Sequence, residues 1–97
     1  MKKLTRKNIP NRLRKFRRVR GLTQKEVAQI LGLKSASIIS RWENGATLPS
    51  FINALRLAAI YRSLVDALFL DFLRSIRREM AEREEALLRE PANSQVR

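Results

Sequence analysis

Four polar residues near the middle of the sequence have the spacing of one helical face. Ser37, Ser40, Arg41 and Asn44 recur at i, i+3, i+4 and i+7. Three of these side chains are short, and the fourth is an arginine. We call this set the polar face, and we expect a narrow helix that carries it to enter a groove and form hydrogen bonds there.

The residues around the polar face predict the helix that presents it. Ser35 is placed to cap a helix running to Asn44, and Gly45 can adopt the left-handed conformation just past its end. The opposite side of this helix is apolar, with Ile38, Ile39 and Trp42.

Two helices are predicted before the helix that carries the polar face. Pro10 suits the first turn of a helix that ends at Gly21 and packs through Ile9, Leu13 and Phe16. The segment Thr23 to Glu26 has the form of a capping box, so a second helix should run from there to Leu31, with Gly32 starting the next turn. Its inward residues are Val27, Ala28 and Leu31, and the small Ala28 lets the following helix cross closely.

Helical spacing continues after Gly45. Pro49 and Ser50 predict a fourth helix to about Tyr61, with packing residues Phe51, Leu55, Ala58 and Tyr61. Ser63 followed by Asp66 suggests a break near Arg62, and one continuous helix from 50 to 89 is the alternative. The last helix should close the core through Leu64, Leu68 and Phe69.

The positive charge is concentrated at the front of the chain. Of the net +12, residues 1–20 contribute +10, residues 21–62 contribute +3, and residues 63–97 contribute −1. Such a field favours a polyanionic partner, with nucleic acid first and an anionic membrane surface second. The alternative is that the positive charge serves only to keep the protein soluble.

Composition excludes several classes. The chain has no cysteine and no histidine, so we expect no disulfide, thiolate chemistry, ordinary zinc site or cofactor. No apolar run of about eighteen residues is present, which predicts a cytoplasmic protein without membrane contact. The carboxylates cluster on the charged last helix without a nucleophile nearby, so an enzyme is not expected.

These observations predict an all-α protein with four regions. They are a basic arm over 1–8, which could follow a phosphate backbone or be a solvated end, a five-helix domain over 9–69, a helical extension over 70–90 and a polar tail over 91–97.

The phrases GLTQKEVAQILGL and ISRWENG, followed by a proline, resemble the helix-turn-helix of the Cro/phage-repressor or Xre-type family of bacterial and phage regulators. The resemblance covers about seventy residues and implies a lambda-repressor-like fold that binds double-stranded DNA. The interval from Gly32 to the ENG sequence is one residue longer than the commonest form, with Lys34 as the added residue.

The resemblance also implies residue roles. Base edges would be read by Ala36, Ser37, Ser40 and Arg41, with Arg41 preferring guanine and Ala36 a thymine methyl. An ion pair would join Arg17 to Glu43. DNA phosphates would be contacted by Gln24 and Asn44, and we add the basic residues Lys34 and Arg12 to this set.

The chain continues beyond the resemblance with an apolar stripe. We call Phe72, Leu73, Ile76 and Met80 the C-terminal stripe, and we expect it to join two copies into a homodimer on a palindromic operator. The alternative is that it folds back on helix one or four.

The sequence is compatible with three candidate functions. A sequence-specific regulator, and in particular a repressor, is favoured. An antitoxin-type autorepressor controlled by a partner protein belongs to the same family, and a basic RNA- or ribosome-associated module is a different class. RNA-binding modules usually expose aromatic side chains, whereas Trp42 and Tyr61 fall at core spacing.

Overall fold

A computed structural model describes residues 8–89, and within this range the fold is entirely helical. The predicted arm over 1–8, apart from Asn8, and the predicted tail over 91–97 lie outside the described residues. The first five helices form the predicted five-helix domain, and the sixth is the predicted extension. The helices are α1 (Leu13–Val19), α2 (Gln24–Leu31), α3 (Ser37–Glu43), α4 (Phe51–Tyr61), α5 (Val65–Leu68) and α6 (Leu70–Arg89).

The first helix begins later than predicted. Pro10 lies before α1 and not in its first turn. The Asn11 side chain explains the difference, because its Oδ1 accepts from the Leu13 N–H at 3.0 Å while its Nδ2 donates to the Trp42 carbonyl at 3.0 Å. The same side chain therefore starts α1 and attaches it to the end of α3.

The second helix has the predicted start and end. Thr23 Oγ1 accepts from the Glu26 N–H at 3.0 Å, and Glu26 Oε1 accepts from the Thr23 N–H at 2.9 Å. These reciprocal bonds form the capping box. Gly32 ends α2 at a φ of 78°, a left-handed conformation that glycine adopts without steric cost.

The third helix starts two residues after its expected cap. Ser35 Oγ accepts from the Ser37 N–H at 3.0 Å, so the serine fixes the entry to α3 without being its N-cap residue. At the other end, Gly45 has a φ of 77°, and its carbonyl accepts from the Ile9 N–H at 2.9 Å.

The packing residues predicted for the fourth helix are half wrong. Ala58 and Tyr61 are buried as expected, but Phe51 and Leu55 are exposed at 75% and 42%. The buried face of α4 contains Ala54 and Leu57 in their place. These residues and the two correct ones follow the i, i+3, i+4, i+7 pattern, and the small alanines allow close packing.

The chain breaks twice between α4 and α6. Arg62 adopts a left-handed conformation at a φ of 55°, which separates α4 from α5 and excludes a continuous helix from 50 to 89. The second break, at Phe69, was not predicted: its φ of −125° and ψ of 34° divide the expected last helix into α5 and α6.

The core lies among the first five helices. α3 packs against α1 and α2, α4 packs against α2, and α5 packs against α4. The start of α1 is also attached to α5, because the Arg12 N–H donates to the Leu68 carbonyl at 2.8 Å. The buried cluster consists of Leu13, Val27, Ala28, Ile39, Trp42, Leu57, Ala58, Tyr61 and Leu68.

Candidate nucleic-acid interface

The polar face of α3 points away from this core. Ser37, Arg41 and Asn44 are exposed and Ser40 is half-buried. On the opposite side of the helix, Trp42 is 4% exposed. Ala36, the fourth predicted base-reading residue, is half-buried at the N-cap. The helix therefore rests on its apolar side and presents short polar groups and one arginine outward.

A buried carboxylate fixes the orientation of this helix. The Glu43 side chain is fully buried, and Arg17 of α1 donates to it twice, from Nε to Oε2 at 2.6 Å and from Nη2 to Oε1 at 3.1 Å. Arg14 Nε and Gln24 Nε2 donate to Oε1 at 3.3 and 2.9 Å. We call these four residues the Glu43 cluster, and it joins α1, α2 and α3.

Hydrogen bonding determines the protonation of the cluster. Burial raises the pKa of Glu43, but the bonds from Arg17 and Gln24 and the positive charge of Arg17 outweigh it, so the net pKa lies below its usual value. The bond to Glu43 raises the pKa of Arg17. Burial, together with the nearby Glu43 charge, raises the pKa of Tyr61 to about 12. Glu43 and Arg17 therefore form an ionised pair at neutral pH.

Arg14 is a part of the site that the sequence reasoning did not identify. Besides contacting Glu43, its Nη2 donates to Asn44 Oδ1 at 2.7 Å. Asn44 in turn donates from Nδ2 to Ser40 Oγ at 3.4 Å. The spacing of Arg14 and Arg17 by three residues places them on the same face of α1, so the predicted pairing of Arg17 with Glu43 could have indicated that Arg14 contacts Glu43 as well.

Gln24 has a contact that its predicted role did not include. Its side-chain amide donates one N–H to Glu43, which orients the group and leaves the second N–H of the amide for another acceptor. Gln24 also opens α2, where the first backbone N–H groups have no partner within the helix. The start of α2 thus lies beside the end of α3 and carries donors.

The two other predicted phosphate contacts differ from each other. Lys34 is exposed in the turn between α2 and α3, next to the polar face. Arg12 is directed at the last helix instead, because Nε and Nη2 both donate to Asp71, each at 3.2 Å. The bond to Arg12 lowers the pKa of Asp71. The structure does not bring Arg12 together with Gln24, Lys34 and Asn44.

The C-terminal stripe lies on α6, beyond the body of the fold. Phe72 and Leu73 are half-buried, while Ile76 and Met80 are 38% and 43% exposed. Every described residue from Arg74 onward is exposed, so Ile76 and Met80 do not fold back on α1 or α4. The surface of α6 also carries two ion pairs, Glu79–Arg83 at 2.7 Å and Glu85–Arg89 at 3.7 Å.

Between positions 8 and 89, no group of acidic side chains is arranged to hold a metal ion. None of the helices in that range has the length and apolar character needed to cross a membrane.

A capped helix, a tight glycine turn and a second helix with an exposed polar face define a helix-turn-helix DNA-binding domain. The comparison with known families agrees: residues 13–66, more than half of the chain, match the helix-turn-helix model HTH_3. The chain therefore belongs to this family of Cro/C1-type, Xre-like regulators, which confirms the resemblance found in the sequence. Members of the family are DNA-binding regulators and are usually not enzymes.

No curated protein and no solved structure matches the chain.

Proposed function

We propose that the protein is a sequence-specific transcriptional repressor that binds a palindromic DNA operator as a homodimer in the cytoplasm. Residues 9–69 would bind DNA, and residues 70–90 would join the two copies. The observation that carries the proposal is the exposed polar face of α3, which the Glu43 cluster holds in a fixed orientation.

In this proposal α3 enters the major groove. Arg41 is exposed, and its guanidinium can donate two hydrogen bonds to guanine. Ser37 and Ser40 would approach neighbouring bases closely because their side chains are short, and Ala36 would contact a thymine methyl. Arg41 would thus supply most of the direct readout.

Phosphate contacts would come from the sides of the polar face. Gln24 and the free N–H groups at the start of α2 suit an anion, since the helix dipole places partial positive charge there. Lys34 lies in the adjoining turn and adds a full charge. Asn44 would contact a phosphate beside Arg14, which donates a hydrogen bond to the Asn44 amide oxygen at 2.7 Å. We leave Arg12 out of this set because Asp71 occupies its guanidinium.

The exposed surface favours duplex DNA over RNA. Trp42 and Tyr61 are buried at 4% and 3% exposure, so neither ring is available for stacking on unpaired bases. Phe51 is exposed at 75%, but it is a single ring at the start of α4. A stacking platform of several rings is not formed by these residues.

Selection of bound duplexes from a random DNA pool tests the proposal. The expected product is a motif with two inverted half-sites about one turn of DNA apart. An unstructured RNA competitor should displace the selected duplex weakly. Equal binding to random duplexes, or stronger binding to RNA, would reject sequence-specific DNA recognition.

Substitutions assign the roles within the interface. Arg41→Ala should relax the preference at one base pair per half-site and cost about 1–3 kcal/mol on the selected duplex. Gln24→Ala should weaken selected and random duplexes alike. Arg78→Ala removes an exposed arginine of α6 and serves as the control. If Arg41→Ala lowered both affinities equally, Arg41 would be a backbone contact.

A further inference from the structure

In the proposed homodimer, on which the following pairing rests, the exposed part of α6 would contact a second copy. Beyond Leu73 this helix carries Ile76, Met80 and Leu87, which are 38%, 43% and 44% exposed. Together with Leu73, their spacings of three, four and seven residues fit the two core positions of a heptad repeat. The one core position of this repeat that is not apolar, between Met80 and Leu87, is occupied by Arg83, whose side chain is 71% exposed.

The charges of α6 are divided along its length. Residues 70–78 contain three arginines and one aspartate, for a net charge of +2. Residues 79–89 contain four glutamates and two arginines, for a net charge of −2. Two copies of such a helix attract each other when they run in opposite directions, since each basic half then lies beside an acidic half.

A parallel pair would bring like charges together. Equivalent core residues face each other in that arrangement, so Arg83 would meet Arg83 of the second copy. The residues that flank the core pair with those five positions further along the partner, so Glu79 would meet Glu84 of the second copy, twice per dimer. Both contacts are repulsive, and the parallel arrangement forms no flanking pair of opposite charge that would offset the repulsion.

An antiparallel pair removes both conflicts. When Ile76 lies opposite Leu87 of the second copy, Met80 lies opposite Arg83, so the arginine meets a flexible apolar side chain. The flanking residue Arg77 then lies beside Glu84 of the second copy, again twice per dimer. We therefore propose that two copies pair through antiparallel α6 helices, with Ile76 of each copy against Leu87 of the other.

This register also fixes how far apart the two α6 helices begin. The midpoint falls between Ala81 and Glu82, so the two α6 helices begin 23 helical residues apart along their common axis. At 1.5 Å per residue the distance is about 35 Å. A parallel pair would instead begin both helices about 10 Å apart.

Cysteine cross-linking distinguishes the two directions, because the natural chain contains no cysteine. Full-length Ile76→Cys and size-tagged Leu87→Cys chains are mixed, oxidised and separated without reductant. The antiparallel pair yields cross-links between the two variants, since equivalent positions lie too far apart to bond. Cross-links within each variant would show parallel pairing and overturn the inference.

A single charge reversal gives a second readout with opposite signs. Glu84→Arg places two arginines together in the antiparallel pair and should weaken the dimer by about three- to tenfold at low salt. In a parallel pair the same change relieves the contact with Glu79 and would strengthen the dimer. Glu85→Arg is the matched control, because this position faces outward in both arrangements and its effect should stay within about twofold.

The failure of this inference can be separated from that of the proposed function. A dimer that binds the selected duplex but gives no cross-link between positions 76 and 87 overturns the α6 pairing and leaves operator recognition intact. A monomer at micromolar concentration that still binds one half-site overturns the pairing and the homodimer together. Loss of sequence preference in the parent chain would instead reject the proposed function.

Discussion

Glu43 and Glu79 each accept a hydrogen bond from an arginine at nearly the same distance, yet the two pairs have different consequences. Arg17 Nε lies 2.6 Å from a Glu43 carboxylate that is fully buried, and it connects two helices. Arg83 Nη2 lies 2.7 Å from a Glu79 carboxylate that is 53% exposed, within one helix. Water competes with the second pair and is excluded from the first.

The contrast extends to the surroundings of each pair. The domain formed by α1 to α5 buries the Glu43 carboxylate, the Trp42 ring and a core of aliphatic side chains, whereas α6 has no buried residue. The orientation of the polar face therefore depends on contacts that form when the domain folds. Order in α6 beyond Leu73 depends on helix propensity and, in the proposed homodimer, on a second copy.

The largest effect should come from neutralising the buried carboxylate. Glu43→Gln leaves the mostly buried Arg17 guanidinium without its counter-charge, and the unfolding free energy should fall by about 3–5 kcal/mol. Glu79→Gln is the matched control and should cost less than about 0.5 kcal/mol. Urea denaturation measures both. Similar losses for the two variants would contradict the contrast between the regions.

Two isoleucines allow the same comparison without charge. Ile39 is 1% exposed and Ile76 is 38% exposed. Ile39→Ala should therefore lower the unfolding free energy by about 2–5 kcal/mol, because it removes contacts and leaves a cavity. Ile76→Ala should cost under about 1 kcal/mol when measured on dissociated protein. A large concentration-independent loss for Ile76→Ala would mean that α6 belongs to the core.

The pH dependence should follow the cluster. Since the folded state lowers the pKa of Glu43 below its ordinary value of 4.5, the cluster contributes stability above that value. The contribution is lost as the pH falls through the folded pKa. The difference in unfolding free energy between the parent chain and Glu43→Gln should therefore be constant from pH 7 to 5 and shrink below that range. A constant difference down to pH 3 would contradict ionisation of Glu43.

The smallest effect concerns the end of α4. Arg62 is left-handed at a φ of 55°, so Arg62→Gly should remove backbone strain and stabilise the protein by less than about 1 kcal/mol. Arg56→Gly, at an exposed position within α4, should destabilise it by about 0.5–1 kcal/mol. Thermal unfolding of both variants measures the difference in sign. Destabilisation by Arg62→Gly would show that the arginine side chain matters more than its backbone.

Local signals in the sequence were sufficient for much of the domain. The capping box at Thr23 and the left-handed glycines 32 and 45 are determined by neighbouring residues, and their positions were predicted correctly. The inward face of α4 depends instead on what it packs against. Two alternative stripes were compatible with its apolar residues, and the choice of Ala54 and Leu57 follows from the close approach of other helices.

The same distinction applies to the candidate site. The polar face could be predicted because it lies on one helix with one period. The contact of Arg14 with Asn44 and the pairing of Arg12 with Asp71 join residues 30 and 59 positions apart, and no local pattern specifies them. The break at Phe69 was also missed, because the segment contains neither glycine nor proline.

The arrangement of α3 separates two demands on one short segment. Residues that hold the helix, above all Ile39, Trp42 and Glu43, point inward, while Ser37 and Arg41 are exposed to solvent. Exchanges at the exposed positions alter the hydrogen-bonding groups offered to a groove without creating a cavity or an unpaired buried charge. In the proposed function, mutations that change the preferred operator can therefore accumulate at nearly constant stability, so recognition can diverge in evolution while the scaffold stays the same.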